Sequence, residues 1–289
     1  MLEMILQLVI GGIALGFVYA LIGVEYTLIW QSAGLLNVAH SMLITGAAYI
    51  FGSTFVLSLG LPIWLSIVLT LVVMFFAGYA ISEVIFNPLR KFSSITYSVT
   101  GTMILSKILM ELYRIVYGSA AFTVPRFLYG TVHIKNTVLS LTYVYIIIVA
   151  ILLIILLQIF LHTTKIGKAM RCVAQNKNAA AIMGINVSQS ISLTTAISSV
   201  ICGIIGILII PLYQISLSMA ATISLKGWAA GILGGFGYIP GTILGGLFIG
   251  IIEALVILFI PSSYKDIVAF VLLLVVLLIR PGGIMRHKV

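Results

Sequence analysis

Four polar side chains stand within long apolar stretches and could contact a small solute: Asn37, His40, Ser41 and Glu253. Such groups are costly in lipid, so they usually face protein or a water-filled cavity. Alternatively they serve packing, with Asn37 capping a helix and His40 or Glu253 forming one hydrogen bond between helices. No carboxylate lies near His40 in the sequence to make a hydrolytic site plausible, and a lone histidine is not a metal site. We therefore expect these residues to line a translocation path or to hold helices together, and we expect neither catalysis nor metal binding.

The amino-acid composition indicates to which class of protein the chain belongs. Of the 289 residues, 62% are hydrophobic and 7% are charged, whereas soluble domains have about 45–50% apolar and about 25% charged residues. So few charges cannot cover a water-facing surface, which excludes a soluble enzyme, a disordered protein and a nucleic-acid-binding domain. Cys172 and Cys202 form neither a disulfide framework nor a metal-binding spacing. The sequence predicts an all-α polytopic membrane protein.

Apolar runs long enough to cross a bilayer predict the helices. A span needs about 20 apolar residues, and nine runs qualify, while glycine and proline interrupt the sixth to eighth and leave eight spans as the alternative. The nine predicted spans are 4–30, 36–58, 62–86, 95–117, 139–161, 190–213, 217–236, 241–260 and 266–280.

The distribution of lysine and arginine predicts the orientation, because these residues accumulate in cytoplasmic loops. If nine spans alternate, nine basic residues fall on one side and four on the other. The larger set consists of Arg90, Lys91, Lys165, Lys168, Arg171, Lys177, Arg280, Arg286 and Lys288. The smaller set consists of Arg126, Lys135, Lys226 and Lys265. We therefore expect a cytoplasmic C-terminus and an N-terminus outside.

This alternation gives the two halves of the chain opposite orientations. Residues 4–117 and 190–280 would form two four-helix half-repeats, and 139–161 would connect them within a single transmembrane domain, 1–289. Inverted repeats of this kind are common in transporters. The sequence thus predicts a pathway between two related halves.

The longest predicted cytoplasmic segment, 163–189, indicates a short amphipathic helix over 166–184. Its alanine, lysine, methionine and glutamine residues favour a helix, and Lys168, Arg171 and Gln175 share one face. Gly184 is placed to end the helix. The helix could lie on anionic lipid or fit the groove of a cytoplasmic partner.

Two other groups of residues have both a structural and a functional interpretation. The break at Gly237, Pro240 and Gly241 predicts a gate or hinge, although closely spaced glycines more commonly allow tight helix packing. Lys107, Glu111 and Arg114 follow one another at i, i+4 and i+7 in the fourth span, where they can neutralise each other along one face. For these three we predict a structural network.

Nine short segments, taken in order, resemble one family. They are Gly34-Leu-Leu-Asn37-Val-Ala39-His40, Gly46-Ala-Ala-Tyr49, Arg171-Cys-Val-Ala-Gln175-Asn176, Met183-Gly184-Ile-Asn186-Val, Leu225-Lys226, Leu233-Gly-Gly-Phe-Gly-Tyr-Ile-Pro240-Gly241, Gly245-Gly246, Glu253 and Arg280-Pro281-Gly282-Gly283. Over nearly its whole length the chain resembles the LivH-type permease subunits of ABC importers for branched-chain amino acids. Two positions differ from the usual pattern of the family. Ser41 stands where a glycine usually follows the histidine, and Lys226-Gly227-Trp228 stands where a Lys-Ala-Phe-like run is common.

The resemblance implies a division of labour between chains. The permease supplies the pore, separate ATPase subunits bind its cytoplasmic loop, a second permease subunit completes the pore, and an extracytoplasmic binding protein delivers the substrate. The sequence has no Gly-x-x-x-x-Gly-Lys-Ser/Thr phosphate loop, so we expect ATP to be used by partner ATPases and no cofactor on this chain. The ATPase-docking residues would be Lys168, Arg171, Gln175, Asn176 and Gly184.

The expected location is the plasma membrane of a bacterium or archaeon. Urea, amides or another small solute are alternative substrates within this class. An ATP-independent secondary transporter is the alternative outside it, with Glu253 as the only deep acid for ion coupling.

Overall fold

The computed structural model describes residues 2–89, 95–125, 127–128, 130–134, 137–259, 261, 264–280 and 282–285. Within them the chain is mostly helical. The α-helices are α1 Leu2–Ala33, α2 His40–Tyr49, α3 Ile63–Ile81, α4 Asn87–Leu89, α5 Ile95–Tyr117, α6 Leu141–Thr163, α7 Lys165–Gln175, α8 Lys177–Ile182, α9 Val187–Ile209, α10 Ala221–Gly234, α11 Ile239–Val256 and α12 Lys265–Ile279. Two π-helical segments, Ile50–Ser58 and Ser82–Phe86, extend α2 and join α3 to α4. A short antiparallel hairpin pairs β1 Thr131–Ile134 with β2 Thr137–Ser140.

Six of the described helices are long and apolar enough to cross a membrane. They are Ile5–Ala33, His40–Ser58, Ile63–Leu89, Leu141–Thr163, Val187–Ile209 and Ile239–Val256. The prediction of an all-α polytopic membrane protein is therefore confirmed. Helices α5, α10 and α12 coincide with the other three predicted spans, but α10 and α12 have only 14 and 15 residues. The number of crossings, eight or nine, stays a prediction.

The chain divides into two compact units that are not consecutive in sequence. Unit 1 consists of 1–27, 125–153 and 222–289, and unit 2 of 28–124 and 154–221. Each unit takes segments from both predicted half-repeats, and the inverted repeat itself stays a prediction.

Glycines bring the backbones of α1, α10 and α11 into contact in unit 1. Gly246 and Gly250 of α11 face α1, where Gly250 lies against the backbone of Gly12 and Gly16. Gly245 instead faces the carbonyl oxygen of Ala230 in α10. Helix α11 therefore has glycines on two of its faces, one against α1 and one against α10. On each face the absence of side chains lets the backbones of the two helices come into direct contact. For these glycines the tight-packing interpretation is confirmed.

Replacing Gly250 by valine should sharply lower the amount of folded protein in the membrane. A Cβ at this position would collide with the carbonyl oxygen of Gly12 and with backbone atoms of Gly16, which cannot move aside as a side chain can. Overpacking typically costs about 1–3 kcal/mol. The measurement is the monodisperse peak of detergent-extracted protein, with Leu244→Val on the exposed face of the same helix as control. An unchanged peak for Gly250→Val would contradict this packing.

Small and hydroxylated side chains let α9 pack closely against α2 and α3 in unit 2. A Cβ on Gly206 of α9 would meet the carbonyl oxygen of Ile44 in α2, and one on Gly78 of α3 would meet Ser199 of α9. The hydroxyls of Thr194 and Thr195 return to backbone carbonyls four residues earlier, at 2.8 and 3.0 Å. Because these hydroxyl groups donate to carbonyls of their own helix, the two threonines can be buried without a hydrogen-bond acceptor on a neighbouring helix.

Three contacts join loops or helix ends that the nine-span alternation assigns to the same side. Lys177 Nζ donates to the Ala33 carbonyl at 2.6 Å, and Phe122 pairs with Ile215 through two backbone hydrogen bonds. The backbone N–H of Ile284 donates to the Leu233 carbonyl at 2.8 Å. These contacts agree with the alternation but do not show which side is cytoplasmic. Of the basic residues that predict the orientation, Arg90, Lys91, Arg126, Lys135, Arg286 and Lys288 lie outside the described residues, as does Pro281.

Candidate functional site

Asn37 precedes α2 in unit 2 but does not cap it. Helix α2 begins at His40, its N-cap is Ala39, and that residue makes no capping hydrogen bond from its side chain. Asn37 Oδ1 instead accepts from the backbone N–H of Ala39 at 3.1 Å, an Asx-type turn. The predicted N-cap role is therefore wrong, because asparagine can bond two residues ahead in a turn as readily as it can cap a helix.

Helix α5 stabilises the turn at Asn37 through hydrogen bonds to the backbone on both sides of it. Thr102 Oγ1 accepts from the N–H of Val38 at 3.1 Å and lies 3.1 Å from the carbonyl oxygen of Leu36. The amide Nδ2 of Asn37 is buried, and within the described residues it has no hydrogen-bond partner. An amide fixed in this way, with a donor unused, can hydrogen-bond a ligand or a water molecule.

The other two predicted path residues of unit 2 lie beside Asn37 at the start of α2. His40 is fully buried, and its Nδ1 lies 3.5 Å from Cys202 Sγ of α9. This contact corresponds to the interhelical role that we considered as the alternative for His40. Ser41 is half-buried. The structure thus brings Asn37, His40 and Ser41 together, while Glu253 belongs to unit 1.

Glu253 lies in a buried ionic network of unit 1. Its Oε1 is 2.6 Å from Lys226 Nζ, and its Oε2 accepts from the Tyr19 hydroxyl at 3.0 Å. Lys226 Nζ also lies 2.6 Å from Asp266 Oδ1, and Lys265 Nζ is 4.0 Å from Glu253 Oε1. Lys226 and Glu253 are each 3% exposed, whereas the Asp266 side chain is 46% exposed. Both oxygens of Glu253 are therefore engaged, which is the helix-to-helix arrangement that we considered as its alternative role.

The sequence analysis missed the structural role of Lys226, which it used for the orientation and for the family resemblance. The signal was available, because a lysine inside an apolar run must find an acid when it is buried. Glu253 and Asp266 are the acids that follow it, but the distance of 27 residues to Glu253 gave no local pattern. Tyr19 adds a second contact, since Lys226 Nζ lies 5.6 Å from its ring centroid.

The predicted gate residues form the turn between α10 and α11. Gly235 and Gly237 have φ of +104° and +92°, so this turn needs the left-handed conformation that glycine adopts without strain. Pro240 lies in the first turn of α11, where its missing N–H costs nothing. Gly241 packs directly on the carbonyl oxygen of Gly234. These residues build a tight helical hairpin, and a hinge motion at this turn stays a prediction.

The predicted cytoplasmic helix is two helices rather than one. Helix α7 ends at Gln175, and Asn176 has φ −155° and ψ 107°, so the chain turns there before α8. Asn176 Oδ1 accepts from the N–H of Ala179 at 3.0 Å and caps α8. The single helix over 166–184 is therefore wrong, because the capping preference of asparagine outweighs the helix preference of its neighbours.

The predicted end at Gly184 is observed. Its φ is +81°, and the N–H groups of Gly184 and Ile185 donate to the carbonyls of Ala181 and Ala180, both at 3.0 Å. This is the Schellman pattern that ends a helix. The turn leaves Ile182 and Met183 86% and 80% exposed at the end of α8.

The buried face of α7 and α8 belongs to the core of unit 2. Val173 and Ala180 lie in one cluster with Ala33, Ala39 and Ile191. The apolar face is thus covered by protein and not offered to lipid, which argues against a helix held only by the membrane surface. The opposite face, with Lys168, Arg171, Gln175 and Asn176, is exposed.

The charged residues of α5 are paired only in part. Arg114 and Glu111 form an ion pair at 3.0 Å with side chains 49% and 50% exposed. Lys107 is exposed, and among the residues that the structure describes it has no acid within 4.0 Å. The predicted network is therefore observed for two of its three members.

Residues 8–277 match a protein family described as branched-chain amino acid transport system, permease component. The high-affinity branched-chain amino acid transport system permease protein LivH of Escherichia coli is 31% identical over 298 residues, 97% of this chain and 95% of LivH. BraD of Pseudomonas aeruginosa, with the same description, is 30% identical and covers the same shares. Among solved structures, PsaBC from Streptococcus pneumoniae in complex with Fab has 18% identity, covers 97% of this chain and 91% of its own, and has a TM-score of 0.48.

Proposed function

Because the chain belongs to the branched-chain amino acid transport permease family, we propose that it forms the membrane pathway of an ATP-driven importer for leucine, isoleucine, valine or a similar hydrophobic amino acid. Its partners are cytoplasmic ATPase subunits, a second and related permease subunit, and an extracytoplasmic binding protein. The protein lies in a bacterial or archaeal plasma membrane with its C-terminus in the cytoplasm and its N-terminus outside. ATP is hydrolysed on the partner ATPases.

The surface formed by α7 and α8 is the observation that carries the ATP-driven part of this proposal. Its exposed face combines Lys168 and Arg171 with the apolar side chains of Ile182 and Met183. A basic face beside exposed apolar groups suits a protein partner, because the apolar groups gain when another protein covers them. The docking residues of the proposal are Lys168, Arg171, Gln175, Asn176 and Gly184.

A path for mechanical coupling starts from the same surface. Lys177, the first residue of α8, donates to the terminal carbonyl of α1 at Ala33, and Val173 and Ala180 pack in one cluster with Ala39. A partner that moves α7 and α8 therefore also moves the turn that holds Asn37. Such motion would open and close the pathway alternately to the two sides.

The proposed pathway uses few charges, as suits a substrate without net charge. Asn37, His40, Ser41 and Glu253 are its candidate lining residues, with Gly237, Pro240 and Gly241 as the candidate gate. The unused amide donor of Asn37 supports its place in this set most directly. Glu253 has both oxygens engaged, which supports a structural contribution.

Uptake into liposomes tests the proposal. We expect radiolabelled leucine to accumulate only when the permease chains, the ATPases, the binding protein and ATP are all present, and unlabelled valine to compete. Urea and acetamide serve as competitors for the alternative substrates of this class. Uptake that persists without any ATPase would contradict the importer function, and competition by urea instead of valine would contradict the substrate.

A further inference from the structure

One face of α2 carries three hydroxyl groups in a row. Ser41, Thr45 and Tyr49 follow one another at intervals of four residues, so they lie along the same side of the helix, which we call the hydroxyl face. Thr45 and Tyr49 are fully buried, yet within the described residues neither hydroxyl has a hydrogen-bond partner. Buried hydroxyl groups in proteins are nearly always hydrogen-bonded, so these two are suited to a molecule that passes along α2.

Other buried threonines of the long helices bond within their own helix. Thr70 of α3 donates to the Ser66 carbonyl at 2.7 Å, and Thr194 of α9 donates to the Ser190 carbonyl at 2.8 Å. A threonine in a helix commonly uses the carbonyl oxygen four residues earlier in this way. Thr45 makes no such bond within the described residues, which leaves its hydroxyl available to a ligand beside α2.

Aromatic rings surround Tyr49 at the end of α2, about 14 Å along the axis from His40. The ring of Tyr49 stacks on Tyr117 with 4.9 Å between centroids, and its centroid lies 6.1 Å from that of Tyr113 and 5.7 Å from that of Phe122. Side chains, which can change rotamer, therefore bury this end of the hydroxyl face.

The pairing of Phe122 with Ile215 keeps these rings in place. Two backbone hydrogen bonds of 3.1 and 2.9 Å join the segment that follows α5 to the segment between α9 and α10. The side chain of Ile215 also packs on Gly52 of the π-helical segment, where a Cβ would collide with it. The pair is an isolated bridge outside the named strands, so only two backbone hydrogen bonds must break to separate the two segments.

We propose that the hydroxyl face continues the substrate path from Asn37, and that the pairing of Phe122 with Ile215 is the gate at its end, an inference that rests on the proposed function. Hydroxyl groups both donate and accept hydrogen bonds. Spaced by one turn, about 6 Å, they can bind the ammonium and carboxylate groups of an amino acid in succession. The aromatic rings and Ile215 offer the apolar contact that a branched aliphatic side chain requires.

A disulfide across the pair tests the gate. The Cα atoms of a hydrogen-bonded antiparallel pair are about 5.5 Å apart, which suits a disulfide, so Phe122→Cys with Ile215→Cys can be crosslinked. Cys172, which is exposed, is replaced by serine in every chain that is compared. We expect oxidation to abolish leucine uptake by liposomes that contain the complete importer, and reduction of the disulfide to restore it.

The matched control is a second pair of cysteines across an antiparallel pairing. Thr131→Cys with Ser140→Cys joins register partners of the β1–β2 hairpin, and we expect its oxidation to leave uptake unchanged. Mass spectrometry of the intact chain measures disulfide formation in both variants. Full uptake by the oxidised variant at positions 122 and 215, or equal loss in both oxidised variants, would overturn the gate. If the importer with neither cysteine pair takes up no leucine, the proposed function fails instead.

Removal of single hydroxyls tests the path independently of the disulfide. Thr45→Val and Tyr49→Phe keep the shape of the side chain and remove a buried hydroxyl that has no partner in the described residues, so we expect unchanged or higher thermal stability. We expect each to lower leucine uptake by about fivefold, the typical effect of one hydrogen bond. Thr70→Val, at an equally buried position, is the control and should leave uptake unchanged. Uptake by Thr45→Val or Tyr49→Phe equal to that of Thr70→Val would overturn the path.

Discussion

Replacing Lys226 by methionine should remove most of the folded protein from the membrane. The substitution keeps an unbranched side chain, one atom shorter, but leaves the Glu253 carboxylate buried without its closest cation, which lies 2.6 Å away. Breaking a buried ion pair by removing one partner typically costs about 3–5 kcal/mol, a large share of the stability of most proteins. The measurement is the amount of monodisperse protein after detergent extraction and its midpoint of thermal unfolding.

The double variant Lys226→Met with Glu253→Gln distinguishes the lost charge pair from lost packing. Without the negative charge, the glutamine amide oxygen can still accept from the Tyr19 hydroxyl, so we expect most of the folded protein to return. Asp266 needs no matching change because its side chain is half-exposed and can be hydrated. A double variant as unstable as Lys226→Met would show that packing around the lysine stem, and not the buried charge, limits stability.

Uptake by the double variant then decides between the two interpretations of Glu253. Because both oxygens of Glu253 are engaged within unit 1, we expect leucine uptake to return together with the fold. Stable protein that does not transport would contradict this expectation and would instead assign Glu253 to the path.

Reversing the charges of Lys168 and Arg171 to glutamate should abolish co-purification of the ATPase while membrane insertion and thermal stability stay unchanged. Both side chains are exposed, and the buried contacts of α7 come from other residues, including Met170 and Val173. Loss of two central interface residues commonly lowers binding by about tenfold or more. The measurement is the ratio of ATPase to permease in tag-purified complexes.

The control for this experiment keeps the positive charge at both positions and exchanges the two types of basic side chain. Lys168→Arg with Arg171→Lys should retain the ATPase, because the face stays basic. ATPase retained by the glutamate variant would place the docking surface elsewhere on the chain. Unfolding of that variant would instead indicate that the two basic residues serve the fold.

The features that the sequence predicted correctly depend on neighbouring residues. Apolar length predicted the long helices, and a glycine at position 184 predicted a helix end, since only a residue tolerant of positive φ suits that turn. The features missed depend on contacts between distant residues. Lys226 and Glu253 are 27 positions apart, and Asn87 reaches Ser192 across 105 positions. Because the partners are so far apart in the chain, no pattern of residue spacing in the sequence predicts these pairs.

The errors at Asn37 and Asn176 have one physical cause. An asparagine side chain satisfies backbone N–H groups either two residues ahead in a turn or three residues ahead as a cap. At Asn37 the turn forms, because Thr102 of α5 holds the adjacent backbone. At Asn176 the cap forms and divides the predicted helix. Only the tertiary surroundings decide between the two.

The hydrogen bond from Lys177 to Ala33 also bears on the order in which the protein is made. Its two residues are 144 positions apart, so the terminal carbonyl of α1 obtains this donor only after four further predicted spans have left the ribosome. A nascent chain that stops before residue 177 has a first helix whose end lacks this cap. The membrane insertion machinery therefore handles an incomplete helix end through most of the synthesis of the first half of the protein.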